Sequence, residues 1–441
     1  MPSDHLTSEP SPTSKRILGI CATISDPMLW GSGILGNALS IEATIAFTIA
    51  LIVLCAKFPQ QRLNATLAIM TLIASISFTL CAADTILRLV AGPLVYYRAH
   101  SELVRQDSDR PGLTRYVPNA RSDRSTFGDL AAMSGNPAHR VNRREVFETD
   151  NRGFRNSPSA RQQPFDLIIL GDSFGMGLGS TQEETWTSIL ERDGHHIYNL
   201  SMPATCAAHG AARLAAELPS IPLTRNATII VPVYVGNDLE ECTKEIDMKL
   251  SEQRPSPIAA ARIAIDDYRS RSPVRQFAMR LVYRWIFADP VVTTRGLPDG
   301  RNVLFYKPHV RAAQLSVSEV EHSPNFSVLT KALSKIKTIS EQHHTAMVVV
   351  ILPTKEEMYD SVLRGESPNA IPTISSGFAL AIMAFCASQA LSCHDLTPNF
   401  MDAARSALND KELLWWTDDS HWNTKGNRVA AHLISQAIEN R

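Results

Sequence analysis

The 441-residue sequence predicts an α/β protein: a three-layer α/β/α domain on a parallel sheet, preceded by two transmembrane helices. Three observations carry that prediction. Short apolar runs recur after residue 164 and end at Gly, Asn or Asp turns. Helical stretches separate them, so each connection is too long for a hairpin and implies right-handed βαβ units. Two long apolar stretches, one with a single charged residue and one with none, lie in the first hundred residues.

Those first hundred residues set the N-terminal elements. From Ile34 to Ala56 the only charged side chain is Glu42, and from Asn64 to Ala83 there is none. Each stretch is long enough to cross a hydrocarbon core, which takes about 20 residues at helical rise. Lys57, Pro59 and Arg62 form a short polar break between them. Ile17 to Gly36 is apolar but interrupted by Asp26-Pro27 and glycines, and reads as interfacial. The predicted organisation is a tail over 1–33, a helical hairpin over 34–98 and an irregular connector over 99–163. A domain over 164–441 follows, with an insertion at about 239–325. Lys57 and Arg62 favour a cytoplasmic hairpin loop, whereas Lys15, Arg16, Arg88 and Arg98 pull the other way, so orientation stays open.

The domain's elements follow in order. Phe165-Asp-Leu-Ile-Ile-Leu170 is a continuous apolar run, as a strand buried on both faces would be. Glu184 to Arg192 is helical, His196 to Asn199 a second strand, and alanine-rich Ala204 to Leu218 a helix. Ala227 to Tyr234 is the third strand, with Pro232 at a bulge or a position that needs no ladder donor. After the insertion, Lys331 to Gln342 is helical and Ala346 to Leu352 the fourth strand. Ser376 to Leu391 is helical, Ser392 to Asp395 a short fifth strand, and Lys425 to Asn440 a closing helix.

Composition removes several function classes. Hydrophobic residues at 44% and charged residues at 20% exclude a mostly disordered chain. Lys plus Arg total 43 against 44 Asp plus Glu, so the chain lacks the basic surplus of a nucleic-acid binder. Seven cysteines without a CxxC pair give no zinc-ribbon or thioredoxin-like signature. The pairing of Cys206, Cys242, Cys386 and Cys393 is not readable from their spacing. His195-His196 and His343-His344 have no carboxylate or Cys partner at metal spacing, so neither a metal nor a cofactor is expected.

In a parallel sheet, ligands gather at the carboxyl ends of the strands. Gly171-Asp172-Ser173 stands directly after the first strand, where a tight turn can project the serine hydroxyl. Taken alone, it also reads as a helix cap. Val235-Gly236-Asn237-Asp238 follows the third strand, and an Asn amide there can serve as an oxyanion donor or simply close an Asx turn. Asp418-Asp-Ser-His421 lies near the C-terminus, where a carboxylate three residues before a histidine can orient its imidazole.

In this order, the three blocks resemble those of the SGNH/GDSL hydrolase superfamily. The likeness covers roughly residues 150 to 440 and includes Thr149-Asp-Asn-Arg-Gly153-Phe154-Arg155-Asn156, which looks like the lead-in of membrane-anchored members. The resemblance implies a flavodoxin-like fold and a serine acyl-ester hydrolase with Ser173 as nucleophile, His421 as base and Asp418 orienting it. Oxyanion donors would be the Ser173 amide, the Ser201 amide and the Asn237 side chain, with Ser201 standing where the family usually has glycine. Ile351 to Tyr359 and the Trp after His421 look like alginate O-acetyltransferase-like members, which brings Lys355 and Tyr359 near the site or makes them an ordinary helix start. The resemblance implies an O-acylated carbohydrate as substrate, with an envelope O-acetyltransferase or a non-catalytic glycan-binding scaffold as alternatives. It also places the domain outside the cytoplasm, with the lipid bilayer as its setting.

Overall fold

A computed structural model of the chain describes residues 60–90, 98–107, 110, 112–156, 163–243, 291–297, 299–365 and 375–440. Between 243 and 291 it describes only 256–258, 261, 265 and 272–275. The chain divides into two units, Met1–Tyr96 with Ala264–Ala288, and Tyr97–Ile263 with Asp289–Arg441.

The first unit contains helix α1 (Gln60–Val90). Its stretch Thr71–Arg88, mean hydropathy 1.3, is long and apolar enough to cross a membrane. Asp84 and Arg88 pair within it at 2.7 Å, and Asp84 also accepts from the Ser272 hydroxyl at 2.5 Å. The expected span over 34–56 lies outside the described residues. Among the described residues one helix of this kind is present, not two. Part of the expected 239–325 insertion thus groups with the N-terminal helix rather than with the α/β domain.

The second unit begins where an irregular connector was expected, and the structure differs there. β1 (Val104–Gln106) pairs antiparallel with β2 (Thr114–Tyr116), and β3 (Arg121–Thr126) with β4 (Arg143–Glu148). Helix α2 (Asp129–Ser134) lies between β3 and β4. The β3–β4 pair is held by cross-strand ion pairs, Arg144 with Asp123 at 2.6 Å and Arg121 with Glu148.

Next come β5 (Phe165–Ile169), α3 (Ser173–Met176), α4 (Trp186–Arg192), β6 (Ile197–Asn199), α5 (Ala207–Glu217) and β7 (Leu223–Tyr234). The insertion contributes a hairpin, β8 (Val292–Gly296) with β9 (Asn302–Tyr306). Then follow α6 (Pro324–Gln342), β10 (Ala346–Leu352), α7 (Gly377–Ser388), β11 (Ser392–Asp395), α8 (Thr397–Asn409) and α9 (Thr424–Glu439).

The central sheet has the order β11-β10-β7-β5-β6, all parallel. This is the doubly wound arrangement, whose switch point lies between β5 and β7. Alternate residues serve opposite faces. Ile168, Ile229, Val231, Val349 and Ile351 pack with Leu214 of α5, Ile336 of α6 and Ile382 of α7. Leu167, Ile169, Ile230, Val348 and Val350 pack with Leu190 of α4, Phe400 of α8 and Ile434 of α9. Burying each such side chain stabilises the fold by about 1.5–3 kcal/mol, so these two layers dominate its energetics. Pro232 sits in the central strand, two residues beyond Ile230, the last β7 residue paired with β5. Its missing N–H faces the β5 side, where that ladder has already ended.

Two disulfides brace this unit. Cys206–Cys242 joins the segments after β6 and β7, with Cα atoms 5.5 Å apart, and Cys386–Cys393 joins α7 to β11 at 6.2 Å.

Candidate active site

Ser173 is the first residue of the one-turn helix α3, and Asp172 forms the turn into it. The Asp172 carboxylate accepts from the amides of Phe174 at 2.8 Å and Gly175 at 3.4 Å. Those bonds fix the strand-to-helix turn and leave the Ser173 N–H without an acceptor among the described residues. The loop that follows α3 is pinned by buried Arg155. Its guanidinium donates to the carbonyls of Gly177 at 2.8 Å and Ser180 at 2.7 Å.

His421 closes on this serine. Its Nε2 lies 2.9 Å from Ser173 Oγ, and its Nδ1 lies 2.9 Å from Asp419 Oδ1. A carboxylate only accepts, so the Nδ1 proton is fixed there and Nε2 is left to accept from the serine hydroxyl. Both Ser173 and His421 are buried, and the imidazole packs on the Phe174 ring with centroids 5.0 Å apart. Burial pulls the His421 pKa down to about 4, helped by Arg98 and opposed by Asp129 and Asp172.

The carboxylate on the imidazole is Asp419, which corrects the expectation for Asp418. Asp418 turns the other way and accepts from the amides of Gly128 at 2.7 Å and Val141 at 2.8 Å, and from Arg143 at 3.0 Å. The backbone passes so close here that a Cβ on Gly128 would meet the Asp418 carbonyl oxygen at 1.8 Å. Asp418 therefore fastens the 418–421 turn to the segment before β4.

Arg98, at the end of the expected hairpin, and Asp129 and Arg143 of the expected connector complete the site. Arg98 and Arg143 both donate to Asp419 Oδ2, and the Arg143 guanidinium lies 4.4 Å over the Trp416 ring. Asp129, the first residue of α2, accepts from the Ser420 amide at 2.8 Å and from the Ser420 hydroxyl, and its Oδ2 stands 3.5 Å from His421 Nδ1. Burial pushes the Asp129 carboxyl up. The charges of His421 and Arg98 and the Ser420 hydrogen bonds outweigh that and hold it at about 2. Asp129, Asp419 and His421 have the spacing of a metal cluster. Two guanidiniums already supply the positive charge on Asp419, so this donor set fits a charge-compensated imidazole better than a cation site.

The expected oxyanion donors divide. The Asn237 amide donates to Glu241 Oε1 at 2.8 Å and keeps a second proton, while its Oδ1 is buried without a partner. Ser201 is fully buried, and its N–H donates to Asn199 Oδ1 at 2.9 Å. That amide is committed, so Ser201 does not fill the role expected for it. Three residues on, Ala204 holds a left-handed φ of 53°, and its N–H has no acceptor among the described residues. Lys355 and Tyr359 do not face Ser173. Lys355 Nζ donates to the carbonyls of Trp416 at 2.8 Å and Asp419 at 3.0 Å, bracing the histidine turn from beneath. Burial lowers its pKa to about 8. The Tyr359 hydroxyl accepts from the Leu414 amide at 2.8 Å.

Asp419 is within reach of sequence reasoning, because it stands beside Asp418 in the same short block. Asp129 and Arg143 carry no local signal, since they lie in a polar stretch without periodicity, and Arg98 reads only as a charge flanking the hairpin.

No family model and no curated protein matches the chain. Among solved structures it is similar to a lipolytic protein of the G-D-S-L family from Desulfitobacterium hafniense DCB-2, at 13% identity and a TM-score of 0.29. That match covers 62% of this chain and 98% of the other. It is also similar to the psychrotrophic esterase EstA from Pseudoalteromonas sp., at 14% identity and a TM-score of 0.30, covering 62% of this chain and 96% of that one. A third similar structure is a G-D-S-L family lipolytic protein from Veillonella parvula DSM 2008, at 9% identity and a TM-score of 0.32, covering 62% of this chain and 98% of the other.

Proposed function

We propose that the chain is a membrane-anchored serine acyl-ester hydrolase. The observation that carries this reading is the continuous line Ser173 Oγ, His421 Nε2, His421 Nδ1, Asp419 Oδ1, with both contacts at 2.9 Å. Ser173 Oγ attacks an ester carbonyl carbon as its proton passes to His421 Nε2, and the carbonyl π electrons move onto oxygen. The N–H of Ser173, the Asn237 amide and the N–H of Ala204 are the donors for that oxyanion. Collapse expels the alcohol, which takes the proton from Nε2, and leaves an acyl-serine. Water then gives its proton to Nε2, attacks the acyl carbon and releases the acid and the free serine.

An O-acylated carbohydrate is the substrate class, and a sugar hydroxyl in place of water in the last step makes the same site an O-acyltransferase. The proposed setting is outside the cytoplasm, with α1 in the bilayer. Two disulfides in the second unit support it, since such bridges persist in oxidising compartments. The test is turnover of p-nitrophenyl acetate by the full chain, with and without an acetylated glycan or a glycan acceptor. Turnover lost in Ser173→Ala and His421→Ala supports the reading. Turnover unchanged in either variant, or glycan binding without turnover, contradicts it.

A further inference from the structure

Asp419 makes the shorter contact to His421, yet its charge is already spent. Its Oδ2 is held by both Arg98 and Arg143. Asp129 differs. Among the described residues the one basic side chain at ion-pair distance from it is the His421 imidazole, and its hydrogen bonds come from the amides of Leu130 and Ser420 and from the Ser420 hydroxyl. It comes from α2, outside every sequence block that marks the site, and its side chain is buried.

We propose that Asp129 is a positioning residue of this site, a second carboxylate that supplies the negative charge for the imidazolium while Asp419 fixes the ring's tautomer. The inference rests on the serine–histidine reading above. As Ser173 gives up its proton, His421 becomes positive in a dry pocket. Two arginines offset part of the Asp419 charge, and Asp129, 3.5 Å from Nδ1, adds a second carboxylate charge beside the ring. The other charged or titratable groups acting on the ring are Arg98, Asp172, His309 and His100. Of these, Asp172 is the one other carboxylate, and its own pKa is raised by burial.

The test uses the full chain in detergent and measures the rate of fluorophosphonate labelling at Ser173 in brief incubations from pH 3 to 8. Asp129→Asn should slow labelling about tenfold at neutral pH and move the acidic limb down by about one pH unit, because the charge favouring the imidazolium is gone. Ser420→Ala removes the hydroxyl that bonds Asp129 and stands 3.2 Å from His421 Nδ1, but it removes no charge and should move the limb far less than Asp129→Asn does. Asp129→Glu keeps the charge and should keep the wild-type limb with slower labelling, a readout that serves even where the Asn variant fails to fold. A wild-type limb and rate in Asp129→Asn would overturn the proposal, as would equal slowing in Asp129→Asn and Ser420→Ala with no limb shift. A displaced limb in Asp129→Glu would do the same. An unlabelled, folded wild type would overturn the serine–histidine reading itself, so the two failures are distinct.

Discussion

Asp419 Oδ1 lies 2.9 Å from His421 Nδ1, while the adjacent Asp418 points its carboxylate at the amides of Gly128 and Val141. The two neighbouring aspartates thus do different work. Asp419→Asn should lower turnover by roughly 10³–10⁴-fold, because an amide can present the wrong group to Nδ1. Asp418→Asn should lower stability by roughly 3–5 kcal/mol through the loss of a buried partner of Arg143, with a smaller loss of turnover in the folded fraction. Steady-state kinetics beside denaturant unfolding separates the two. A larger kinetic loss in Asp418→Asn than in Asp419→Asn would reverse the assignment.

The pH profile should be unusual for a histidine base. With burial lowering the His421 pKa to about 4, the base is neutral through the whole range above it. The acidic limb of kcat/KM is expected near pH 4, and activity should be flat from about 5 to 8. Arg98→Leu removes a charge that lowers this pKa and should raise the limb. A wild-type limb near 6.5 would show that the imidazole is solvated.

Cys206 and Cys242 flank the two segments that carry Ala204 and Asn237, so their bridge fastens two of the three proposed oxyanion donors to each other. Replacing both with Ser should cost roughly 2–4 kcal/mol of stability. It should also lower kcat, by about tenfold, with little change in KM, because a donor out of place weakens transition-state binding alone. The Cys386–Cys393 bridge lies at α7 and β11, and its removal should affect stability only. Equal kcat effects from both bridges would remove the link to the oxyanion donors.

Asp238 is buried behind Asn237 and accepts from the Tyr234 amide at 2.8 Å. Burial and the charge of Asp172 raise its pKa well above the usual carboxylate value. The folded state therefore keeps a proton that the unfolded chain releases. Stability is fully present below the unfolded pKa and declines as pH rises through the folded one. Asp238→Asn mimics the protonated form and should flatten that decline, measured as denaturation midpoints at pH 5 and pH 8. An identical decline in both proteins would assign it elsewhere.

β5, β7 and β10 were legible because a strand buried on both faces is written as a continuous apolar run, as in Val348–Leu352, whereas β11, Ser392–Asp395, is polar and half-buried. Ser173, His421 and Asn237 were legible because each stands beside a strand end or in a short block. The β3–β4 pair was not, since Arg-Ser-Asp-Arg-Ser-Thr and Arg-Arg-Glu-Val-Phe-Glu hold together by cross-strand ion pairs rather than by apolar alternation. With that pair went Asp129 and Arg143, whose partners lie more than 270 residues away in sequence. The choice between Asp418 and Asp419 depends on the 416–421 turn, in which the Trp416 amide donates to the His421 carbonyl at 3.3 Å. Spacing alone does not reveal it. Ser201 looked available because its amide follows β6, and only the structure shows that Asn199 takes it.

An activated Ser173 nucleophile is tested first by fluorophosphonate labelling of the full chain, with the adduct located by peptide mass. One adduct is expected, on Ser173, lost in Ser173→Ala and in His421→Ala. A folded wild type that takes no label, or a label that persists in Ser173→Ala, would contradict it.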